Sequence, residues 1–418
     1  MRRVARIASE PLGAEPAVLQ RRLGHLVRSP RPRSESVPVA LARGRILAAP
    51  ILARVLRPPF DQSVMDGYAV RSRPSERRAG SPLVRREVIG RSTLSLTPDQ
   101  LPRVDLRGAV ETPTGAAMPP GADCIVRRER VRREGSTIVP LDRLVPGRDI
   151  ARAGEDYRPG EVLLDGGTRL RPWHLAALIA NGPARVRVTR TPCVGVVSTG
   201  DELTPSAQAG PNRVVRDTTK PLLLGLLAEL GVEATDLGVV RDDTNAIQVA
   251  IRRGLQRCEM LLTIGGSSVG GRDFVAAAVG SLAEARVVVR GVRLRPGSTT
   301  SAAVVRGQAV FLLPGPPLAA AAGFLTVVEP FLRTHLGPGL PDRTPRYARL
   351  SRGVSHALGR TELVLVRTSG VGGTIVASPV DRGGSAWLSS IADADGFLYL
   401  HPRRHGYRAG ARVEVFPL

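Results

Sequence analysis

The stretch from Leu261 to Asp273 (LLTIGGSSVGGRD) limits what this chain can fold into more than any other. Met260 to Ile264 is a short apolar run with no polar face, which predicts a strand covered on both sides in a parallel sheet. It breaks into glycines and serines, then reaches Asp273 and the helix-like run from Phe274 to Val279. The order is strand, phosphate-sized loop, helix start. Gly265, Gly266, Gly270 and Gly271 permit positive φ and close backbone approach, while Ser267, Ser268 and free amides supply donors to an anion. A plain βα turn uses the same residues, so the surrounding pattern must decide.

That pattern is an alternation of strand and helix over residues 192–336. Residues 192 to 202 read as a buried strand ending in a polar loop, and Asp217 as the cap of a helix through Leu230, with Gly231 beyond its end. Val232 to Val240 predicts a second strand, and Arg241 to Asp243 cap a helix over Thr244 to Leu255. After the glycine loop a helix is expected as far as Ala285, then strands at Val287 to Val292, Ser301 to Val305 and Ala309 to Leu313, and a helix from Leu318. The reading is an open parallel α/β sheet, Rossmann-like, which binds ligands beyond the carboxyl ends of its strands. The polar clusters at Ser198 to Glu202, Asp242 and Asp243, Ser267 to Asp273, and Pro314 to Pro317 all fall there.

Outside this region, Ala14 to Val27 carries helical spacing and Val37 to Leu52 reads as a second, shorter helical stretch. Short β segments follow at Gly67 to Val70, Leu83 to Ile89, Ala109 to Glu111, Cys124 to Arg127 and Thr137 to Val139. Asp149 to Asp156 closes this β unit, and Arg171 to Gly182 reads as a helix with proline at its start and glycine at its end. An inserted β domain whose flanks pair with each other is expected. Beyond Gly337 to Pro341, strands at Tyr347 to Leu350, Glu362 to Val366, Thr374 to Ser378, Gly396 to His401 and Val413 to Phe416 form a small all-β domain.

At 418 residues the chain exceeds one ordinary core. Its three cysteines, Cys124, Cys193 and Cys258, are widely spaced and odd in number, which fits neither a disulfide framework nor a C-x-x-C site and suits a reducing cytoplasm. Glu10, Pro11 and Glu15 interrupt the start before a signal peptide could form. The apolar stretch Leu318 to Val328 is too short to span a membrane. The net charge of +23 comes almost wholly from arginine spread through every region, Lys220 being the single lysine, with few aromatics for base stacking. No nucleic acid partner and no membrane are expected.

The acids at strand ends, Asp201, Glu202, Asp242, Asp243 and Asp273, suit a Mg²⁺ bridge to a diphosphate, because this hard cation takes one or two carboxylates together with phosphate oxygens. Helix capping is the competing role for Asp243 and Asp273. Arg290, Arg293 and Arg295 could grip a tetrahedral oxyanion, although alternating arginines also mark a solvated strand face. Asp61 and Asp66 lie in an irregular stretch, and Thr114 and Gly115 in a turn-rich loop over residues 112–123. The six histidines lack metal-ligand spacing, and no nucleophile triad is present.

Several ordered motifs carry a resemblance. Pro59 to Val70 (PFDQSVMDGYAV), Thr114 to Ala116 with Pro119 to Asp123, Gly154 to Asp156, Ser198 to Leu203 (STGDEL), Leu237 to Asp243 (LGVVRDD), Gly265 to Gly270 with Asp273, Leu313 to Gly315, and Ser389 and Ser390 with Ala394 to Gly396 resemble the molybdopterin molybdenumtransferases, including the E domain of gephyrin. The resemblance implies an elongated α/β domain I (10–57 and 157–191), an inserted β domain II (58–156), a molybdopterin-binding α/β domain III (192–336) and a small C-terminal β-barrel domain IV (337–418). It also implies a homodimer whose active site is shared between subunits. The implied reaction converts adenylylated molybdopterin and molybdate to molybdenum cofactor and AMP with Mg²⁺. An upstream molybdopterin adenylyltransferase would supply the substrate and acceptor molybdoenzymes would take the product.

Carried across, the resemblance makes Asp66, Glu202, Asp242 and Asp273 catalytic, the last three also holding the metal. Substrate binding falls to Thr114, Asp156, Ser198, Thr199, Gly200 and Asp217, then to Gly265, Gly266, Ser267, Ser268 and Gly270, and finally to Arg293, Arg295 and Gly315. Three segments depart from the family pattern. Asp-Thr-Asn is here Asp217-Thr218-Thr219, Lys-Pro-Gly-Lys-Pro is here Arg295 to Thr299 (RPGST), and Leu-Pro-Gly-Asn-Pro is here Leu313 to Pro317 (LPGPP). Arg295 keeps charge as a planar fork, Ser298 keeps a donor without charge, and Pro316 loses an amide side chain and a backbone N–H. These changes cluster where the family binds molybdate. The chain is therefore expected to be an enzyme, with a non-catalytic carrier or scaffold that binds the pterin or its nucleotide as the alternative.

Overall fold

Alternate residues of the strand Met260–Ile264 face opposite sides, and both sides are apolar: Met260, Leu262 and Ile264 enter one core, Leu261 the other. This strand must therefore lie between two layers of helices. The computed structural model describes residues 13–27, 34–78, 84–204, 215–266, 273–336, 340, 343–380 and 388–418. It divides into two compact units, one of residues 36–188 and the other holding the rest.

In the second unit, β1 (Cys193–Thr199), β2 (Glu233–Val240), β3 (Met260–Ile264), β4 (Ala285–Val289), β5 (Ser301–Val305) and β6 (Gln308–Leu313) form one sheet in the order β2-β1-β3-β6-β5-β4. β2, β1, β3 and β6 are parallel, β5 runs antiparallel to β6, and β4, antiparallel to β5, returns to the direction of the first four. The expected all-parallel sheet is thus mixed. The cause is the tight turn at Arg306 and Gly307, whose φ angles of 54° and 81° suit a two-residue hairpin.

Helices α1 (Thr219–Glu229) and α4 (Pro317–Gly323) cover one face, with Leu223, Leu227 and Ala320 in its core. Helices α2 (Thr244–Arg257) and α3 (Phe274–Gly280) cover the other with Ile247, Ile251 and Val275. The N-terminal helix Pro16–Leu26 adds the fully buried Leu19 and Leu23 to the first core. α3 stops at Gly280, short of the expected Ala285, and β4 starts at Ala285 and ends at Val289 rather than running from Val287 to Val292. Thr218 occupies the N-cap position of α1, yet the carboxylate accepting from the first turn is Asp217, from the Lys220 amide at 3.1 Å. Asp243 caps α2 as expected, accepting from the Ala246 amide at 2.7 Å.

Downstream, strands Arg346–Leu350, Thr361–Val371, Thr374–Pro379, Gly396–Leu400 and Arg412–Pro417 close into a five-stranded barrel, because Thr361–Val371 pairs with both Thr374–Pro379 and Gly396–Leu400. The two-residue strand Leu294–Arg295 is laid parallel against Thr361 and Glu362.

In residues 36–188, six strands pair in the spatial order Cys124–Arg127, Gly67–Val70, Gly108–Thr112, Arg86–Arg91, Thr137–Pro140, Val131–Glu134. The flanks of this segment pair as expected: Gln62 and Ser63 meet Ala151 and Ile150, Arg57 meets Tyr157, and Ile51 and Leu52 meet Leu164 and Val162. Helix Pro172–Asn181 ends at Gly182 (φ 93°), and the buried Asn181 holds the returning chain, accepting from Arg54 N and donating to Leu52 O.

The helix expected over Val37 to Leu52 is absent. Val37 and Pro38 end the strand Ser34–Pro38, a 3₁₀ turn forms at Val39–Leu41, Ile46 and Leu47 make single bridges, and the short strand Ile51–Leu52 follows. Pro38, Gly44 and Pro50 break the segment, and its amides bond outward: Val39 to Ala184 O, Gly44 to Leu170 O, Leu47 to Thr168 O and Ala48 to Arg187 O. Among the described residues no helix is long and apolar enough to cross a membrane.

Candidate functional site

The parallel register sets Thr199 beside Val240, and Ile264 beside both Ser198 and Leu313, so four strands end in line. The loops after them border a cleft of about 1170 Å³. Glycine is required on its floor. Gly265 (φ 86°) approaches so closely that a Cβ would lie 2.6 Å from the Thr199 carbonyl, and Gly266 (φ 62°) would place one 2.5 Å from Val275. Gly200, at φ 153°, lies under the Glu202 carboxylate, 2.8 Å from where its Cβ would stand.

Acids dominate the lining, with Asp201, Glu202, Asp217 and Asp242 all bordering the cleft. Asp242 is half-buried, and one of its carboxylate oxygens is buried with no hydrogen-bond partner. Burial, then the charges of Glu202 and Asp201, raise its pKa above the usual carboxylate value. An orphaned, electron-rich oxygen beside further carboxylates is a donor set that suits a hard cation. Among the described residues no group of three or more His, Cys, Asp or Glu is placed to hold a metal ion. Glu202 and Asp242 share the cleft, whereas Asp273 stands one residue before the lining Phe274, caps α3 by accepting from Ala276 N at 2.8 Å, and is pushed up in pKa chiefly by burial.

Asp217 is only 4% exposed. It accepts from the Ser198 hydroxyl at 2.6 Å and the Lys220 amide at 3.1 Å, and the Lys220 ammonium lies 3.6 Å from it and 2.9 Å from Asp236. Ser198 is fully buried, so it supports Asp217 and does not line the cleft. The Thr199 hydroxyl donates to Ile264 O, and the Thr219 hydroxyl donates to Gly315 O at 2.6 Å, joining the start of α1 to the loop after β6.

None of the arginines chosen from sequence borders the cleft: Arg290 acts by its charge on Asp273, while Arg293 and Arg295 face other groups. Arg293 Nε donates to Gly13 O at 2.9 Å, and an Arg295 nitrogen lies 3.8 Å from the Glu362 carboxylate. Neither borders the cleft, although Gly297, Ser298 and Thr299 do. Ser267, Ser268 and Gly270 lie outside the described residues. Sequence reasoning missed Arg216, Thr218 and Thr219 as lining residues and Lys220 as the counter-ion of Asp217. Their adjacency to Asp217, directly after a two-residue strand, is the signal that could have found them.

In the unit of residues 36–188, Asp66 accepts from both the amide and the hydroxyl of Thr114 at 2.8 Å. These two bonds hold its pKa below the usual value. Asp156 borders a separate cleft of about 380 Å³ and lies 3.4 Å from Arg57 Nε, both side chains being exposed.

Models of known families match three consecutive parts of the chain: the MoeA N-terminal region (domain I and II) over residues 16–182, a probable molybdopterin binding domain over 195–334, and the MoeA C-terminal region (domain IV) over 347–418. A molybdopterin molybdenumtransferase of Bacillus subtilis is 32% identical over 381 residues, covering 89% of this chain and 86% of the relative. One from Staphylococcus aureus is 29% identical over 91% of this chain and 90% of its own length. The crystal structure of a molybdopterin biosynthesis MoeA protein from Pyrococcus horikosii superposes with a TM-score of 0.78 at 29% identity, covering 97% of this chain and 99% of that one. With matches of this identity and extent, the chain belongs to the MoeA family of molybdopterin molybdenumtransferases.

Proposed function

We propose that this chain is a molybdopterin molybdenumtransferase, which takes adenylylated molybdopterin and molybdate and yields molybdenum cofactor and AMP. The observation that carries this reading is the acid-lined, glycine-floored cleft at the ends of four parallel strands, in a chain whose relatives over most of its length bear that name. Glycine backbone at Gly265 and Gly266 admits a bulky, phosphate-bearing ligand against the sheet ends.

Mg²⁺ would be held by Glu202 and Asp242, with substrate oxygens completing its shell. Bound there, it supplies charge neutralisation for the diphosphate and for the departing AMP. The chain's own residues orient the substrate: Asp217, pinned by Ser198 and Lys220, offers a fixed acceptor at the wall, and the Thr219 to Gly315 bond fixes the opposite rim. Asp273 sets the start of α3 beside them.

The reading extends to the rest of the molecule. Four domains bounded as the motifs suggest, with a Rossmann-like nucleotide-binding core, would work as a cytoplasmic homodimer in which Asp66, Thr114 and Asp156 of one subunit complete the cleft of the other. A molybdopterin adenylyltransferase would deliver the substrate, and acceptor molybdoenzymes would receive the product. The test is AMP release from adenylylated molybdopterin by the purified chain, with molybdate and Mg²⁺ each omitted in turn. Release that requires both supports the enzyme. Tight pterin binding with no release in any condition would make the chain a carrier.

A further inference from the structure

We propose that Arg216 is the side chain by which this cleft holds a tetrahedral oxyanion, an inference that rests on the function proposed above and names a contact it leaves open. The oxyanion is either free molybdate or a phosphoryl group of the adenylylated pterin; the two share geometry and charge.

Four carboxylates, those of Asp201, Glu202, Asp217 and Asp242, border the cleft, and an anionic substrate entering it is repelled by each. Among the described residues lining it, Arg216 is the one cationic side chain. The arginines nearest the family's molybdate segment, Arg290, Arg293 and Arg295, do not border the cleft; Arg293 donates to the Gly13 carbonyl and Arg295 lies 3.8 Å from Glu362. Lys220 does not substitute, because its ammonium is buried between Asp236 and Asp217.

Arg216 combines an available side chain, among the described residues, with an anchored backbone. It is exposed, and its guanidinium has no hydrogen-bond or ion-pair partner among the described residues. Its backbone is fixed on either side. Val215 N donates to Glu202 O at 2.9 Å, the strand Val215–Arg216 pairs with Leu203–Thr204, and the next residue is the buried Asp217. The fork is therefore carried from a rigid base with its donors unspent, and two of its N–H groups match two oxygens of a tetrahedral anion. Thr218, Ser298 and Thr299 border the same cleft and add neutral groups around that anion.

The test is calorimetric titration of the full chain, in Mg²⁺, with sodium molybdate, AMP and pyrophosphate as separate probes, for the wild type, Arg216→Ala, Arg216→Lys and Arg295→Ala. Circular dichroism checks that each variant is folded. Arg216→Ala is expected to weaken at least one probe by about tenfold or more, Arg216→Lys to recover part of that loss, and Arg295→Ala to stay within about twofold of wild type. Loss confined to molybdate assigns Arg216 to the free oxyanion, and loss confined to AMP or pyrophosphate assigns it to the phosphoryl group. Wild-type affinity for all three probes in Arg216→Ala, or a loss in Arg295→Ala instead, overturns the proposal while leaving the transferase reading intact. A wild-type chain that binds none of the probes and releases no AMP overturns both.

Discussion

Thr114 grips Asp66 twice, its backbone amide and its hydroxyl donating to the same carboxylate oxygen at 2.8 Å each. The pair keeps an exposed aspartate ionised further into acid than an ordinary one, with Arg128 adding a smaller pull. Because the folded pKa is depressed, what this interaction contributes is present above the ordinary carboxylate pKa and disappears as pH falls through the lowered value. In Thr114→Val the amide bond persists and the hydroxyl is gone, so the Asp66 pKa rises part of the way back. A carboxyl-carbon NMR titration that superimposes on wild type would show the hydroxyl to be irrelevant.

Glu76 and Arg86 form an ion pair with both side chains fully buried, the carboxylate also accepting from Arg73 N and Val84 N. Glu76→Gln leaves the guanidinium buried without its counter-charge and should cost about 3–5 kcal/mol in urea unfolding. Burial alone would raise the Glu76 pKa, yet Arg86 and the two amides outweigh it and the value is lowered. The stabilisation therefore holds above the ordinary glutamate range and fails only as pH drops through the depressed value. Acid unfolding of the Gln variant should lack that component, and equal acid profiles for the two proteins would contradict the assignment.

Asp273 caps α3 and is also expected to serve in the site. Two substitutions separate these roles. Asp273→Ala loses the cap and should cost about 0.5–2 kcal/mol, whereas Asp273→Asn keeps an acceptor for Ala276 N and most of that stability. Should the charge matter to the chemistry, AMP release falls in both variants while only the Ala variant melts earlier. Full activity in the Asn variant would reduce Asp273 to a structural residue.

Lys220 neutralises the wall of the cleft from behind. Lys220→Met removes the ammonium that Asp217 and Asp236 share and leaves Asp217, 4% exposed, facing the cleft without its cation. We expect a loss of about 1–3 kcal/mol, and a rise in KM for the anionic substrate larger than the fall in kcat. An unchanged KM would show that Asp217 is held by Ser198 and the helix amide alone.

Much of the α/β sheet could be read from sequence because strands covered on both faces are unbroken apolar runs, as at Met260–Ile264, and the acids were found because they follow such runs directly. Strand direction was not legible in the apolar pattern: Ser301–Val305 looks like one more parallel strand, and only the two-residue turn at Arg306 and Gly307 shows that β5 and β6 form a hairpin. The false helix at Val37 to Leu52 has the same root, since which distant carbonyls its amides meet is a tertiary fact. For the arginines, composition misled. In a chain with so many of them, proximity in sequence to a motif says little about which one reaches the cleft, and Arg293 and Arg295 lie instead beside Gly13 and Glu362.

The five strands of the C-terminal barrel return on themselves through Thr361–Val371, and the edge left at Thr361 and Glu362 is taken by Leu294–Arg295 of the same chain. A visiting peptide finds that edge already paired and cannot add a strand there. Whatever recognises this part of the molecule must read the side chains on its outer wall, where single substitutions can retune selectivity without unpicking the ring itself.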